Sequence, residues 1–94
     1  MPERPRWTFL TSHGFVLLEV TRAPGATVRE IAERSGLTER QTHRVLSDLV
    51  DGGYVARERV GRRNHYRVDA SLPMRHPILE GHQVGELLAA LRER

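Results

Sequence analysis

The chain of 94 residues has no cysteine, no lysine and no apolar run long enough to cross a bilayer. Without cysteine, disulfides, thiolate metal ligands and thiol nucleophiles are excluded. The opening Met1-Pro2-Glu3-Arg4-Pro5-Arg6 is charged and lacks the apolar stretch of a signal peptide, so a cytoplasmic location with no membrane association is expected. No internal repeat or low-complexity tract is present. A glycine-rich phosphate loop is also missing, because Gly52-Gly53 follows a helical pattern where such a loop follows a strand. Ser12, Ser35, Ser47 and Ser71 read as caps or turn residues, and nothing suggests a catalytic arrangement with histidine and aspartate. The five histidines, at 13, 43, 65, 76 and 82, fall on different elements with no pair at chelating distance. An enzyme is not expected, nor is a metal or a cofactor.

What is present is the composition of a small folded domain, 38% hydrophobic and 29% charged. With lysine absent, all 15 basic side chains are arginine, set against 12 acids. Their placement is uneven. Between Arg40 and Arg67 lie Arg40, Arg44, Arg57, Arg59, Arg62, Arg63 and Arg67, against only Asp48, Asp51 and Glu58. Clustered arginine on an otherwise balanced chain is the footprint of a polyanion-binding face.

The whole chain, 1–94, reads as one domain. A first helix starts near Thr11 or Ser12, carries Phe15, Val16, Leu18 and Val20, and stops before Pro24. Thr27 with Glu30 three residues on is a capping box, and the helix it opens buries Val28, Ile31 and Ala32 up to Arg34. Ser35-Gly36 forms a tight turn, Leu37 points back to the core, and Thr38 caps a third helix running to Asp51. Val45, Leu46, Leu49 and Val50 form its inner stripe. From Tyr54 the period changes to that of strands. Tyr54 to Val60 and His65 to Val68 are expected to pair across a turn at Gly61-Arg62-Arg63-Asn64. A terminal helix is expected over 77–92, with Val84, Leu87, Leu88 and Leu91 on one face.

Two short helices around a glycine turn, followed by a hairpin, make a winged helix-turn-helix: mainly α, with a small β-hairpin. Its parts are the helix-turn-helix at 27–51, the wing at 54–68 and the terminal helix. Such a third helix fits the major groove. Its outward residues are Thr38, Glu39, Arg40, Gln41, His43, Arg44 and Ser47. Arginine suits the guanine edge and glutamine the adenine edge.

The run from Thr27 to Leu49, then Gly53-Tyr54-Val55 and Arg59-Val60-Gly61-Arg62-Arg63-Asn64-His65-Tyr66, resembles the winged-helix transcriptional regulators of the MarR and ArsR groups. With Thr8-Phe9-Leu10-Thr11 and Arg75-His76-Pro77, it is similar to small single-domain regulators of actinobacterial type. Thr42 stands where that pattern usually has valine. The resemblance implies a homodimer that binds double-stranded DNA sequence-specifically and regulates transcription, in a bacterial cytoplasm and near the nucleoid. It also implies that Arg59, Arg62, Arg63 and Asn64 of the wing meet backbone or minor groove. Trp7, Phe9, Leu10, Val84, Leu87, Leu88 and Leu91 are the expected dimer surface. A seam there has room for a small apolar effector, which nothing in the sequence names. Two rivals use the same fold: a module that grips another protein, and a sequence-neutral, chromatin-like DNA binder.

Overall fold

A computed structural model describes residues 5–91. The first four residues and Arg92, the last residue of the expected terminal helix, lie outside the described residues. Helix α1 (Ser12–Arg22) is capped by Thr11, whose hydroxyl accepts from Gly14 N at 3.3 Å. It buries Val16, Leu17, Leu18 and Val20, while Phe15 is only half-buried. Its last turn closes where Ala23 N donates to Glu19 O at 2.8 Å, ahead of Pro24.

Helix α2 (Val28–Ser35) opens on the expected capping box: Glu30 N donates to Thr27 Oγ1 at 3.1 Å, and Thr27 N donates to Glu30 Oε1 at 2.8 Å. Gly36 ends it at φ 73, a left-handed conformation that costs glycine no Cβ clash. That turn lets Leu37 N reach back to Ala32 O at 2.9 Å. Two residues later α3 (Glu39–Asp51) begins, with Thr42, Val45, Leu46 and Leu49 buried. Val50, expected on the inner stripe, is only half-buried.

Strands β1 (Val55–Val60) and β2 (Arg63–Val68) form an antiparallel pair in which Val60 opposes Arg63. The turn is therefore Gly61-Arg62 alone, two residues shorter than expected. Gly61 at φ 64 precedes a residue of negative φ, the pattern of a two-residue turn whose twist matches that of the strands. The base of the hairpin is core: Val55 and Tyr66 are buried, and Tyr66 N donates to Pro24 O at 3.0 Å.

The expected helix over 77–92 is corrected. Pro77–Leu79 is a single 3-10 turn capped by His76, and α4 spans only Val84–Leu91. Gly81 at φ 85 breaks the chain between them, and the Pro73–Gln83 bridge holds residue 83 extended. A fresh start follows, as Glu86 Oε2 accepts from Gln83 N at 2.7 Å. Helix α4 lies on the body of the domain, where Val84 and Leu88 join the core of α1, α3 and the hairpin. Burying two such side chains contributes roughly 1.5–3 kcal/mol each, which holds a helix of only eight residues that would not persist in water. At its start Gly85 touches Ala70, with Gly85 N donating to Ala70 O at 2.9 Å.

Candidate nucleic-acid interface

Helix α3 divides cleanly into two faces. Thr42, Val45, Leu46 and Leu49 look inward, and Arg40, Arg44, Ser47 and Asp51 form the row opposite them. Glu39 and His43 flank that row on one side, Gln41 and Asp48 on the other. All of these flanking and outer residues are exposed, as is Thr38. The buried position that departs from the apolar pattern, Thr42, turns its hydroxyl to Thr38 O at 2.9 Å, so no polar atom is stranded there.

The arginines differ in what they touch. Arg22 and Arg34 both approach Glu19, Arg29 pairs with Glu33, and Arg67 lies 3.9 Å from Glu58. Among the described residues, Arg40 and Arg44 are held by no carboxylate. A guanidinium left unpaired on the outer row of a helix is free to meet phosphate or a base edge.

The wing separates its four candidate residues. Arg62 sits in the two-residue turn, while strand register puts Arg59 and Asn64 on one face and Arg63 on the other. Arg59 Nε donates to Gly61 O at 3.3 Å, which stiffens the tip. Arg63 lies on the side of α2. The Glu30 carboxyl is held below the usual carboxylate range by its bonds from Thr27, first the backbone and then the side chain, with Arg63 and Arg34 adding smaller contributions. Val60, half-exposed beside the turn, is the one apolar side chain at the tip.

Sequence reasoning missed three features. Gln41 forms a second capping box: its Oε1 accepts from Thr38 N at 2.9 Å while its N–H donates to Thr38 Oγ1 at 3.0 Å. The spacing of Thr38 and Gln41 carries that signal, since glutamine serves as well as glutamate three residues after the cap. The second is His13, whose Nε2 lies 2.8 Å from Asp48 Oδ2 and ties α1 to α3. A contact between residues so far apart in sequence leaves no local trace. The third is an apolar cleft of about 840 Å³ between the N-terminal segment, the end of α3 and the 74–87 stretch. Phe9, Leu17, Leu49, Met74 and Leu87 line it, with His13 and Asp48 at its polar edge.

The remaining histidines have separate uses. His65 packs over Gly25, His76 caps the 3-10 turn, and His82 bonds Glu86 at 2.9 Å. Among the described residues, no three metal-binding side chains converge, and no helix is long and apolar enough to cross a membrane.

The terminal residues split as well. Val84 and Leu88 are buried in the chain's own core, so these two of the expected dimer residues are not free to meet a partner. Leu10, Leu87 and Leu91 are half-buried. Trp7 and Phe9 stand out at 67% and 92% exposure, stacked edge to face with ring centroids 5.1 Å apart.

Comparison with known proteins places this arrangement. The family model described as MarR family matches residues 9–63, which span α1, both capped helices, β1 and the wing turn. An uncharacterised protein of Methanocaldococcus jannaschii is 30% identical over 59 residues, covering 62% of this chain and 13% of that protein. Among solved structures, a MarR family protein of Mycobacterium tuberculosis, crystallised with salicylic acid, superimposes with a TM-score of 0.52 at 32% identity. That match covers 65% of this chain and 48% of the mycobacterial one. The chain thus spans about half the length of the solved relative and a small part of the archaeal one.

Proposed function

The chain belongs to the MarR family, and from that premise we propose that it is a homodimeric transcriptional regulator that binds double-stranded DNA sequence-specifically. The observation that carries this reading is the outer row of α3. Arg40 and Arg44 stand exposed and, among the described residues, free of carboxylates on a helix set by two reciprocal caps and a left-handed glycine. In this reading 27–51 is the helix-turn-helix, with Thr38, Arg40, His43, Arg44 and Ser47 toward the major groove. Residues 54–68 are the wing, where Arg59, Arg62 and Asn64 meet the sugar–phosphate backbone and Arg63 reaches it from the α2 side. Two copies would set their α3 helices roughly 34 Å apart, one turn of DNA.

The dimer is proposed to form through the terminal segments, 77–92 together with the N-terminal aromatics. Exposed Trp7, Phe9 and Ile78 and half-buried Leu10, Leu87 and Leu91 leave apolar surface to cover there. Exposed aromatics of this size are the side chains that most often anchor interfaces. The cleft beside them is large enough for a small apolar effector, and the crystallised relative was solved with salicylic acid.

Selection from a random duplex pool at near-physiological salt tests the reading. An enriched motif with two-fold symmetry supports it. Retention without enrichment points to a sequence-neutral binder, and no retention at all to a protein partner. Light scattering tests the dimer separately: a monomer at micromolar concentration contradicts it, and a dimer that Trp7→Ser with Phe9→Ser dissociates supports it.

A further inference from the structure

We infer that Gln41 sets the start of α3 without reading bases, and that α3 reads G·C pairs. This rests on the proposal that α3 enters the major groove. An adenine edge is recognised by one side chain that accepts from N6–H and donates to N7 together. Between Glu39 and Asp51 only Gln41 carries an amide. Its Oε1 is already taken by Thr38 N at 2.9 Å, and the reciprocal bond from Gln41 N to Thr38 Oγ1 holds the pair closed. Turning the amide out to a base gives up the bond from Thr38 N and opens the capping box, although Thr38 Oγ1 still caps the Gln41 backbone N–H.

What remains on the groove side has one consistent preference. Arg40 and Arg44 offer paired donors, which match O6 and N7 of guanine. Glu39, exposed and held by no cation among the described residues, offers an acceptor, which matches N4–H2 of cytosine. Both descriptions are of the same base pair. No fully exposed apolar side chain lies between Glu39 and Asp51 to meet a thymine methyl. Ser47 and His43 donate or accept and so do not discriminate.

The test is selection from a random duplex pool by the wild-type protein and by Gln41→Ala, Gln41→Glu and Arg44→Ala, followed by affinity measurements on the recovered duplex. The wild type should return half-sites with G·C pairs at the strongest positions. Changing one such guanine to adenine should weaken binding about tenfold or more. Gln41→Ala should return the same motif from a less heat-stable protein. Gln41→Glu keeps an oxygen for Thr38 N–H and should return the same motif at unchanged melting temperature and lower overall affinity. Arg44→Ala should lose guanine preference at one position per half-site. A motif with a strong adenine that disappears in both Gln41 variants overturns the inference while leaving sequence-specific binding intact. A wild-type protein that enriches nothing overturns the regulatory reading, and this inference with it.

Discussion

Replacing Gly85 by alanine should loosen the terminal helix and lower stability. A Cβ built there would lie 2.9 Å from Ala70 O and 3.0 Å from Ala70 Cβ, well inside ordinary van der Waals contact. Neither neighbour can yield cheaply. Ala70 O is fixed by the 2.9 Å bond from Gly85 N itself, and the Ala70 methyl has no alternative rotamer. The helix must therefore shift, which pulls Val84 and Leu88 from the positions where they are nearly fully buried. Overpacking of this kind costs about 1–3 kcal/mol. The better helix propensity of alanine returns at most about 1 kcal/mol, and less in a first turn. A net loss of roughly 1–2 kcal/mol lowers the melting temperature by on the order of 5–15 °C in a domain this small. Far-UV circular dichroism during heating is the assay. Ala89→Gly, on the exposed side of α4, serves as the control and should cost only the propensity difference. An unchanged or raised melting temperature for Gly85→Ala would refute the close docking of α4 on Ala70.

Three further outcomes follow from the same geometry. Thr42→Val should change stability by less than about 1 kcal/mol in either direction, because Thr38 O keeps its 3.0 Å bond from Thr42 N when the hydroxyl is lost; thermal melting that shows a much larger loss would mean the hydroxyl has another role. Arg62→Ala should weaken binding to every duplex and reduce the slope of log affinity against log salt by about one, with base preference retained; a changed preference in a competition assay would reassign the wing tip to base reading. Stability should fall in acid. The carboxyls of Glu30, Asp69 and Glu86 are held below their ordinary range by bonds from Thr27, from the Ser71 side chain and backbone, and from His82 with Gln83 N. Their contributions are present above the ordinary carboxylate pKa of about 4 and vanish as pH drops through the lower folded values. Glu30→Gln should lower the neutral plateau of a melting-temperature profile modestly and soften its acid limb, and an acid limb identical to wild type would count against the Thr27 cap as its cause.

The elements that could be read from sequence are those whose signals are local. Thr27 with Glu30, Gly36, Thr38 and the change of period at Tyr54 each specify their structure within four residues: α2 and α3 appear as those signals require, and the hairpin appears with a turn two residues shorter than read. The misreadings fall where tertiary contacts decide. The 77–92 stretch is apolar enough to suggest one helix, yet Gly81 and the bridge between Pro73 and Gln83 divide it. The face of α4 was legible as a stripe, but which surface would cover Val84 and Leu88 was not, since burial against α1 and burial against a partner have the same periodicity. At the interface, the outer row of Arg40, Arg44 and Ser47 was readable from the helical repeat. The commitment of Gln41 to Thr38 was missed although the three-residue spacing carries it, because glutamine on an outward helix position also suits a base edge.

The central claim, that the outer row of α3 meets DNA, is tested most directly by titrating a labelled duplex at low salt with the wild type and with Arg40→Ala/Arg44→Ala. Arg75→Ala, whose residue lies beside the apolar cleft, is the charge control. Tight binding by the wild type and the Arg75 variant, falling steeply with added salt, is expected, with a large loss in the double variant at unchanged folding. No binding by the wild type, or equal binding by all three proteins, would contradict it.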